Sequence, residues 1–517
     1  MAEGDMVILA DSTGDIDTSD QLIAFDAFQK LCVVNGANLK IADFQNDLLD
    51  LGAGNEFTTP PLKGDLLTQA TSGATMLVDF IDSTKRYIYG RRLEATAFTT
   101  TATISSDNAG GQTMDPATRT PAAVTNRTAG PLWYDWTKHP SKTTAMPDKA
   151  YIGCLYRGRA VLSGNPAYPW QWYMSRQADI FDWDYTSGDA QSAVAGQNSA
   201  AGKVGDEVKA LIPFHDDYLI FAGASSFYYM RGDPANQGTI SSLYDGGGIF
   251  GPQAYCLDRT GNLWVFSSAG LLKFPRTGDG VASPTSVSEN TWPDFYDETG
   301  ADPSTHRVVM GYDSRRNGVE IAVTLLATGL STSYWYDLNT NGFFPESYPL
   351  ACGALSMYRH DSNDNDYSDL LIGCKDGYIR HYVDTAKNDD VGSTDQLISS
   401  YVAMPVQQLG SDEDMKGKVN SLTFVLSGGA TAGSFSDSDG VDYELHVGKD
   451  PETVSEDIRD GATALFSGTL TGPGRRQRVR DKVAGGYLGV KLSNSTVDET
   501  WSIEFIGFNV KPAGRIK

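Results

Sequence analysis

The chain has 517 residues, of which 40% are hydrophobic, 11% aromatic and 21% charged. That length predicts about three domains, and the apolar share excludes a disordered chain. Lys and Arg total 41 against 65 Asp and Glu, a formal charge of −24. Binding to phosphates or to an anionic membrane needs a basic surface or stripe, and none is visible in the sequence. Nucleic-acid and anionic-membrane partners are therefore disfavoured.

The cysteines and the start of the chain indicate the compartment. The five cysteines lie far apart and form no C-x-x-C, which argues against a disulfide scaffold and a structural zinc site. The acidic start, Met1–Asp5, lacks the basic region of a secretory signal, and no apolar run approaches the roughly 18 residues that span a bilayer. We expect a soluble protein made in a reducing cytoplasm and not exported by a cleaved signal.

In chain order, the first predicted element covers Asp20–Leu31. Thr18 and Gln21 fit a helical capping box, but the same residues fit a strand equally well, and both alternatives stay open. Next come Leu31–Gly36 and Tyr87–Gly90, two apolar runs that end at glycine. Such runs indicate strands.

The same unit recurs along most of the chain at a spacing of about 45–60 residues. It consists of an apolar strand, a Gly or Asp-Gly turn and an aromatic strand, and it is clearest at Leu211–Met230, Leu263–Phe274, Val308–Val323 and Leu370–Tyr382. Further members lie near Leu31–Gly36, Tyr87–Gly90 and Tyr151–Cys154. A unit repeated in this way is typical of a β-propeller, and the copies predict about seven blades, within a range of six to eight. The alternative is a large array of β-sandwiches.

Two segments interrupt this pattern. Residues Glu94–Pro147 are rich in Thr, Ala, Ser, Gly and Pro, with a predicted strand at Phe98–Ile104, and we interpret them as a small β insertion. A disordered loop is the alternative, which the cluster Trp133–Trp136 disfavours. After Ser399, Gly-rich turns separate strand-like runs, which predicts a C-terminal β-sandwich. These runs are Ser421–Leu426, Tyr443–Val447, Tyr487–Leu492 and Trp501–Phe505.

The predicted organisation is all-β, with four parts. Residues 1–93 hold an N-terminal segment and the first blades, 94–147 the insertion, 148–399 the remaining blades, and 400–517 the sandwich. Within this frame, Thr186–Asp206 is rich in Gly, Ala and Ser and is expected to be a mobile loop.

Catalytic motifs are scarce in the sequence. The six histidines are scattered, and H-E-x-x-H, G-x-S-x-G and G-x-x-x-x-G-K-[ST] are all absent. Gly246–Gly251 spells the dinucleotide pattern, but Pro252 follows without a βαβ context, so we interpret it as a turn. Carboxylate pairs for glycoside hydrolysis cannot be picked out among 65 acids. We expect no enzyme, no catalytic residue and no cofactor-binding residue.

Two acidic segments and one aromatic segment are the remaining candidate sites. Asp361, Asn363, Asn365 and Asp369 resemble the start of a calcium loop, as does the shorter Asp437–Gly440. The first departs from the pattern at Asp366, where the loop has Gly, and at Ile372, where it has Glu, so a solvated turn is favoured and no metal site is expected. Trp170–Tyr173 is an aromatic run that fits sugar stacking or, preferentially, a hydrophobic core.

The middle third of the chain carries a family resemblance. Arg157–Gly164, Tyr173–Arg176 and Asp179–Tyr185 are followed by Phe214–Ile220 and Arg231–Pro234. Together with Gly248–Pro252, Gly261–Phe266 and the ending Trp501–Arg515, this succession resembles the β-propeller proteins of bacteriophage virions, in particular the nozzle (tail hub) proteins of short-tailed phages. The resemblance spans about residues 20–517, and its motifs are structural rather than catalytic.

The resemblance implies a structural role in the virion tail, after synthesis in the host cytoplasm. About six copies would form a homo-oligomeric ring below the portal and adaptor rings, around the channel through which DNA leaves. Tail fibres or spikes are further partners that it implies, and DNA would pass without specific binding. The acidic charge agrees, because an acidic wall repels phosphates. The alternatives are a receptor- or glycan-binding module of a phage tail and, third, a propeller glycosidase or lyase.

Overall fold

The computed structural model shows an all-β chain built from many small antiparallel sheets, which confirms the predicted fold class at this level. In the part of the chain that the structure describes, no helix is long and apolar enough to cross a membrane. The described residues are 9, 14–100, 102–107, 121–128, 130–278, 280–289, 292–363, 368–383, 386–392, 394–427, 440–470, 476–497 and 499–515.

The chain forms two compact units. The first contains residues 1–326, 334–344 and 355–370, and the second contains 327–333, 345–354 and 371–517.

The first sheet is interrupted by an inserted sheet. Its strands are β1 (Ile23–Ala27), β2 (Lys30–Asn35) and β3 (Asn38–Asp43). The inserted sheet has the order β8-β5-β6-β7-β4-β9, and β10 (Leu132–Asp135) then returns to pair with β3. The strands of the inserted sheet are β4 (Asp47–Asp50), β5 (Leu66–Gln69), β6 (Ala74–Ile81), β7 (Tyr87–Arg92), β8 (Ser105–Ser106) and β9 (Thr125–Arg127).

The inserted sheet is fixed to the rest of the first unit by stacked rings and buried polar contacts. Phe80 stacks on Phe181 with ring centroids 3.8 Å apart, and Tyr89 stacks on Tyr134 at 3.9 Å. Nearby, His139 is buried with Nε2 3.0 Å from the Pro61 carbonyl oxygen. These three separate contacts join the insertion to its surroundings, so it is not a loosely tethered domain.

A buried ion pair strengthens the same junction. Lys30 Nζ lies 2.6 Å from Asp79 Oδ2, and Asn46 Nδ2 donates to the same oxygen at 2.9 Å. Burial pushes the pKa of Asp79 up, but the Lys30 charge and these hydrogen bonds outweigh it, so the pKa lies below its usual value.

Three four-stranded sheets follow in sequence order. Their strands are β11 (Ile152–Tyr156), β12 (Arg159–Ser163), β13 (Trp172–Met174), β14 (Val194–Ala195), then β15 (Val208–His215), β16 (Tyr218–Gly223), β17 (Phe227–Arg231), β18 (Thr239–Tyr244), and β19 (Tyr255–Leu257), β20 (Leu263–Ser267), β21 (Gly270–Phe274) and β24 (Thr285–Ser286). A 3-10 turn, Gly196–Asn198, follows β14, and a hairpin of β22 (Arg276–Thr277) and β23 (Gly280–Val281) precedes β24.

Two further sheets and a hairpin continue the series. Helix α1 (Phe295–Glu298) leads into β25 (His306–Asp313), β26 (Gly318–Leu325), β27 (Ser331–Asp337) and β28 (Gly342–Ser347). The next sheet has β29 (Ala354–His360), β30 (Asp369–Cys374) and β31 (Ile379–His381), and the hairpin has β32 (Asn388–Val391) and β33 (Thr394–Leu397).

The second strands of the three sheets that begin with β11, β15 and β19 indicate how the sheets pack against one another. Every residue of β12, β16 and β20 is buried, although neighbouring side chains of a strand point to opposite faces. A strand is buried on both faces only when its sheet is covered on both sides. One hydrophobic core accordingly joins Ile220, Trp264 and Ile321 from successive sheets.

The end of the second unit consists of two sheets around one core. The sheet β34-β41-β37-β38, with β35 beside β41, is covered by helix α2, and we call it the helix-covered sheet. The other sheet joins β36 to β39, β40 and β42, and we call it the basic sheet because Lys and Arg outnumber Asp and Glu in it. The elements are β34 (Ser400–Ala403), β35 (Gln407–Gln408), β36 (Met415–Ser427), β37 (Val441–Gly448), α2 (Pro451–Arg459), β38 (Phe466–Leu470), β39 (Arg476–Val479), β40 (Val483–Gly485), β41 (Tyr487–Asn494) and β42 (Ser502–Arg515).

Several predicted elements differ from the structure. The undecided segment Asp20–Leu31 contains strand β1, not a helix, and Tyr87–Gly90 lies in the inserted sheet. The insertion was expected at 94–147, but its strands lie between Asp47 and Arg127. Only the Thr-rich loops of the insertion have a distinctive composition. Its apolar strands resemble the strands of the other sheets, so the sequence does not separate them from the predicted blades.

Two further differences concern individual segments. No strand covers the described residues of Phe98–Ile104, although Phe98 and Ile104 are buried. Thr186–Asp206, expected to be mobile, contains β14, and its Val194 and Val204 are packed in a hydrophobic core. Small residues made this segment resemble a loop, whereas they allow it to pack closely.

Candidate functional site

The first strands of successive sheets lie side by side and border a small cavity. Strand β1 packs beside β11, and β11 beside β15. The cavity has a volume of about 300 Å³, and its lining is mainly apolar, including Phe25, Cys154, Leu211, Pro213 and Tyr255.

The groups in this cavity do not favour catalysis. Burial raises the pKa of the Cys154 thiol and of the Tyr255 hydroxyl far above neutrality, so both stay protonated. Gln253 contributes the polar atom Oε1, which is buried and has no hydrogen-bond partner in the structure. An apolar wall with one amide suits a passive surface better than an acid–base site.

A larger cleft of about 640 Å³ lies at the turns that follow β11 and β15. Its rim carries Arg157, Gln177, Asp216 and Asp217, and Arg157 forms an ion pair with Asp217. This pair is partly exposed, so it contributes at most about 1 kcal/mol to stability. The cleft has charge but no adjacent nucleophile and base among the residues that line it.

Arg159, at the start of β12, positions the sheets on both sides of this cleft. Its side chain is fully buried, and Nε donates to Asp233 Oδ2 at 3.1 Å. Its Nη1 also donates to the carbonyl oxygens of Ser175 and Ser192, at 3.0 and 2.6 Å. Burial lowers the pKa of Arg159 despite the Asp233 charge. The sequence carries no signal for this residue, because a lone arginine in a strand usually faces solvent.

In the first calcium candidate, two of the aspartates form ion pairs with two different arginines. Asp361 lies 3.0 Å from Arg359, and the buried Asp369 lies 3.2 Å from Arg315. Asn363 is described, but Asn365 lies outside the described residues, as do Asp437–Asp439 of the second candidate. In the described part of the chain, no group of three or more His, Cys, Asp or Glu side chains is arranged for a metal ion.

The aromatic candidate Trp170–Tyr173 alternates between core and surface. Trp172 is buried against Phe221, with ring centroids 6.0 Å apart, while Trp170 is 52% exposed. Tyr168, in the same loop, is 56% exposed. The run therefore gives the core one ring and leaves Tyr168 and Trp170 at the surface.

Gly246–Gly251 connects β18 to β19 without opening a helix. A Cβ atom on Gly248 would lie 2.1 Å from the Ala224 backbone, so close chain packing explains this glycine. The absence of a helix N-terminus removes the basis for phosphate binding.

The basic sheet is a surface that local sequence patterns do not reveal. Within β36, β39, β40, β42 and the link between β39 and β40, eight Lys and Arg stand against two Asp and Glu, in a chain of net charge −24. No basic stripe is visible in the sequence, because folding gathers these cations from three distant segments. The cations are Lys416, Lys418, Arg476, Arg478, Arg480, Lys482, Lys511 and Arg515.

Comparisons with known proteins give weak likenesses only. No family model and no curated protein matches the chain. Among solved structures, the extracellular domain of a hybrid two-component system of Bacteroides thetaiotaomicron is 12% identical, covering 95% of this chain and 62% of that chain, with a TM-score of 0.32. A second such domain from the same organism is 9% identical, covering 69% of this chain and 39% of that chain, at 0.31.

PorZ, a surface component of the type-IX secretion system of Porphyromonas gingivalis, is 12% identical, covering 94% of this chain and 70% of that chain, with a TM-score of 0.26. The chain spans less than two thirds of the length of the two Bacteroides domains. Scores this low support no statement about a shared fold or function, and none of these three is a phage protein.

Proposed function

We propose that the chain is a structural subunit of a short-tailed phage tail. About six copies form a nozzle ring below the portal and adaptor rings, and DNA passes through its channel during ejection. The resemblance of residues 20–517 to such proteins is the starting point, and the role is structural rather than catalytic.

We further propose that the successive small sheets are blades of a β-propeller with about seven blades. Strands buried on both faces in β12, β16 and β20 support this arrangement, because propeller blades cover one another. The first strands β1, β11 and β15, which lie side by side, would be the innermost strands.

The distribution of charge is the observation that carries the functional proposal. Residues 1–399 contain 49 Asp and Glu against 28 Lys and Arg. A ring of such subunits has a strongly negative field, which keeps DNA from adhering to the wall of a channel. A conduit needs this property, since cargo that binds the wall would stop moving.

The test is the mass of the purified full chain by light scattering, alone and with candidate portal and adaptor proteins, followed by negative-stain imaging. We expect closed rings of about six copies, either alone or on the adaptor complex. A chain that stays single and ignores virion proteins would contradict the proposal.

A second candidate, a glycan-binding module, is favoured by one observation. Tyr168 and Trp170 expose two rings on one loop, where sugars stack on aromatic faces. Glycan-array binding that is lost in Trp170→Ala and kept in Phe44→Ala, which changes another exposed ring, would support it. The nozzle proposal expects a blank array for the unmodified chain.

A further inference from the structure

We propose that the basic sheet of one copy docks on the helix-covered sheet of a second copy, head to tail. Both surfaces belong to the second compact unit, so their relation is fixed within one fold. The inference deepens the proposed function, since a ring needs a repeated contact of this type.

Helix α2 covers one outer side of this unit and makes it acidic. Val454 and Ile458 of the helix are buried against Gly489 of β41, at the position that a Cβ atom there would take. The neighbouring residues Leu488 and Val490 point to the other face of β41, into the core. The solvent side of the helix therefore carries its charged residues. From residue 450 to 460 there are five Asp and Glu and one Arg, and Glu452 and Glu456 are exposed one turn apart.

The basic sheet forms the other outer side, because the buried apolar residues of its central strand β36 face the same core. Val419, Leu422 and Phe424 of β36 point inward, toward Leu445 and Val490 of the helix-covered sheet. The two sheets thus have their outer faces on opposite sides of the unit.

The outer face of the basic sheet has the features of an interface. Arg476 and Arg478 are exposed on alternate positions of β39, and Arg478 donates to Ser421 Oγ at 3.0 Å. Phe505 is 58% exposed, and both it and Arg476 pair with Val425 of β36. An exposed aromatic ring beside arginines is the composition of residues that dominate binding energy at protein interfaces.

Charge complementarity identifies a second copy as the occupant. An acidic face and a basic face on opposite sides of one unit are suited to a head-to-tail contact, which repeats until a ring closes. A nucleic acid would match the basic sheet but would be repelled by the acidic remainder of the chain. An interface of this type weakens with salt, since its charges lie at a solvated surface.

The experiment is light scattering of the full chain between about 0.05 and 0.5 M NaCl, with two charge-reversed variants. Arg476→Glu/Arg478→Glu lowers the charge of the basic sheet from +6 to +2, and Glu452→Lys/Glu456→Lys brings residues 450–460 from −4 to neutral. We expect each variant alone to fall to the mass of a single chain, 55.8 kDa, at low salt. An equimolar mixture should regain the mass of the unmodified assembly, because the reversed side chains of one variant then meet the reversed side chains of the other, and the two unmodified faces meet each other.

The matched control is Arg127→Glu/Arg259→Glu, which changes the net charge equally at two exposed arginines outside the second unit and should keep the assembly. An unchanged mass in either reversed variant overturns the inference, as does failure of the mixture to reassemble. If Arg476→Glu/Arg478→Glu keeps its mass but loses binding to a short DNA duplex, the basic sheet is a nucleic-acid surface instead.

The outcomes separate this inference from the proposed function. A chain that is single at every salt concentration overturns the head-to-tail contact. If that single chain still enters a ring on portal and adaptor proteins, the proposed function stands, and if it does not, both fail.

Discussion

Lys418 on β36 lies directly opposite Lys511 on β42. Both side chains are exposed, and like charges opposite each other across two strands destabilise a sheet. The pairing is understandable if a negative surface faces this sheet in the assembled protein.

Lys511→Glu should therefore stabilise the single chain. We expect its free energy of unfolding to rise by about 0.2–1 kcal/mol at low salt, and the gain to vanish at high salt. Urea unfolding measures this, in the Glu452→Lys/Glu456→Lys background so that assembly does not contribute. Lys511→Gln should give a smaller gain, and a loss of stability in Lys511→Glu at low salt would contradict the repulsion.

Trp264→Ala tests the packing between successive sheets. Trp264 is 1% exposed, its Nε1 donates to Asp258 Oδ2 at 3.0 Å, and its ring lies 5.4 Å from that of Tyr336. The cavity left behind should lower the free energy of unfolding by about 3–5 kcal/mol. The same change at the exposed Trp170 should alter it by no more than about 0.5 kcal/mol. Equal effects in the two variants would show that β20 is not a core strand.

Arg159→Met tests the buried clamp beside the larger cleft. Removing the guanidinium leaves Asp233 and several carbonyl oxygens without their donor, which should lower the free energy of unfolding by about 3–5 kcal/mol. The matched control is Arg157→Met on the same hairpin, whose partly exposed ion pair is worth at most about 1 kcal/mol. Urea unfolding compares the two variants.

A double-mutant cycle sharpens this test. Adding Asp233→Asn to Arg159→Met should cause less loss than the sum of the single changes, by about 0.5–3 kcal/mol, because the two groups interact directly. If the losses in the free energy of unfolding from the two changes simply add, Arg159 and Asp233 do not interact directly.

His139 predicts how stability depends on pH. Burial lowers the pKa of His139 from 6.5, although the Pro61 carbonyl partly opposes this. The unfolded chain therefore takes up a proton first as the pH falls, and stability is lost between pH 6.5 and the lower pKa of the folded state. This loss of stability should be absent in His139→Gln, because glutamine takes up no proton in this pH range.

Urea unfolding across this pH range provides the measurement. Above pH 6.5 the stability difference between the unmodified chain and His139→Gln should be constant, and below it the difference should shrink. A difference that grows on acidification would mean that His139 is protonated in the folded protein.

The strands were predictable because their apolar runs are local. Leu263–Phe266 and Leu271–Phe274 were expected as strands and form β20 and β21, with Gly270, the first residue of β21 after the turn, at a φ of +92°. Such patterns do not reveal which sheet a strand joins. Tyr87–Gly90 therefore looked like the other repeats, although it pairs within the inserted sheet.

The surfaces were less predictable, since they depend on contacts between distant segments. Lys418, Arg478 and Lys511 are separated by long stretches of chain, and only the pairing of β36 with β39 and β42 brings them to one sheet. The net charge of the whole chain is negative, so it gives no sign of these clustered cations. Buried ion pairs are equally hard to predict from the sequence. The residues around Arg159 do not indicate its partner Asp233, which lies 74 positions away.

The most direct measurement is the mass and shape of the assembled full chain on candidate portal and adaptor proteins, by light scattering and negative-stain imaging. The proposed function predicts closed rings of about six copies with a central opening, and no retention of DNA. A stable single chain that ignores these proteins and binds or cleaves a polysaccharide would contradict it.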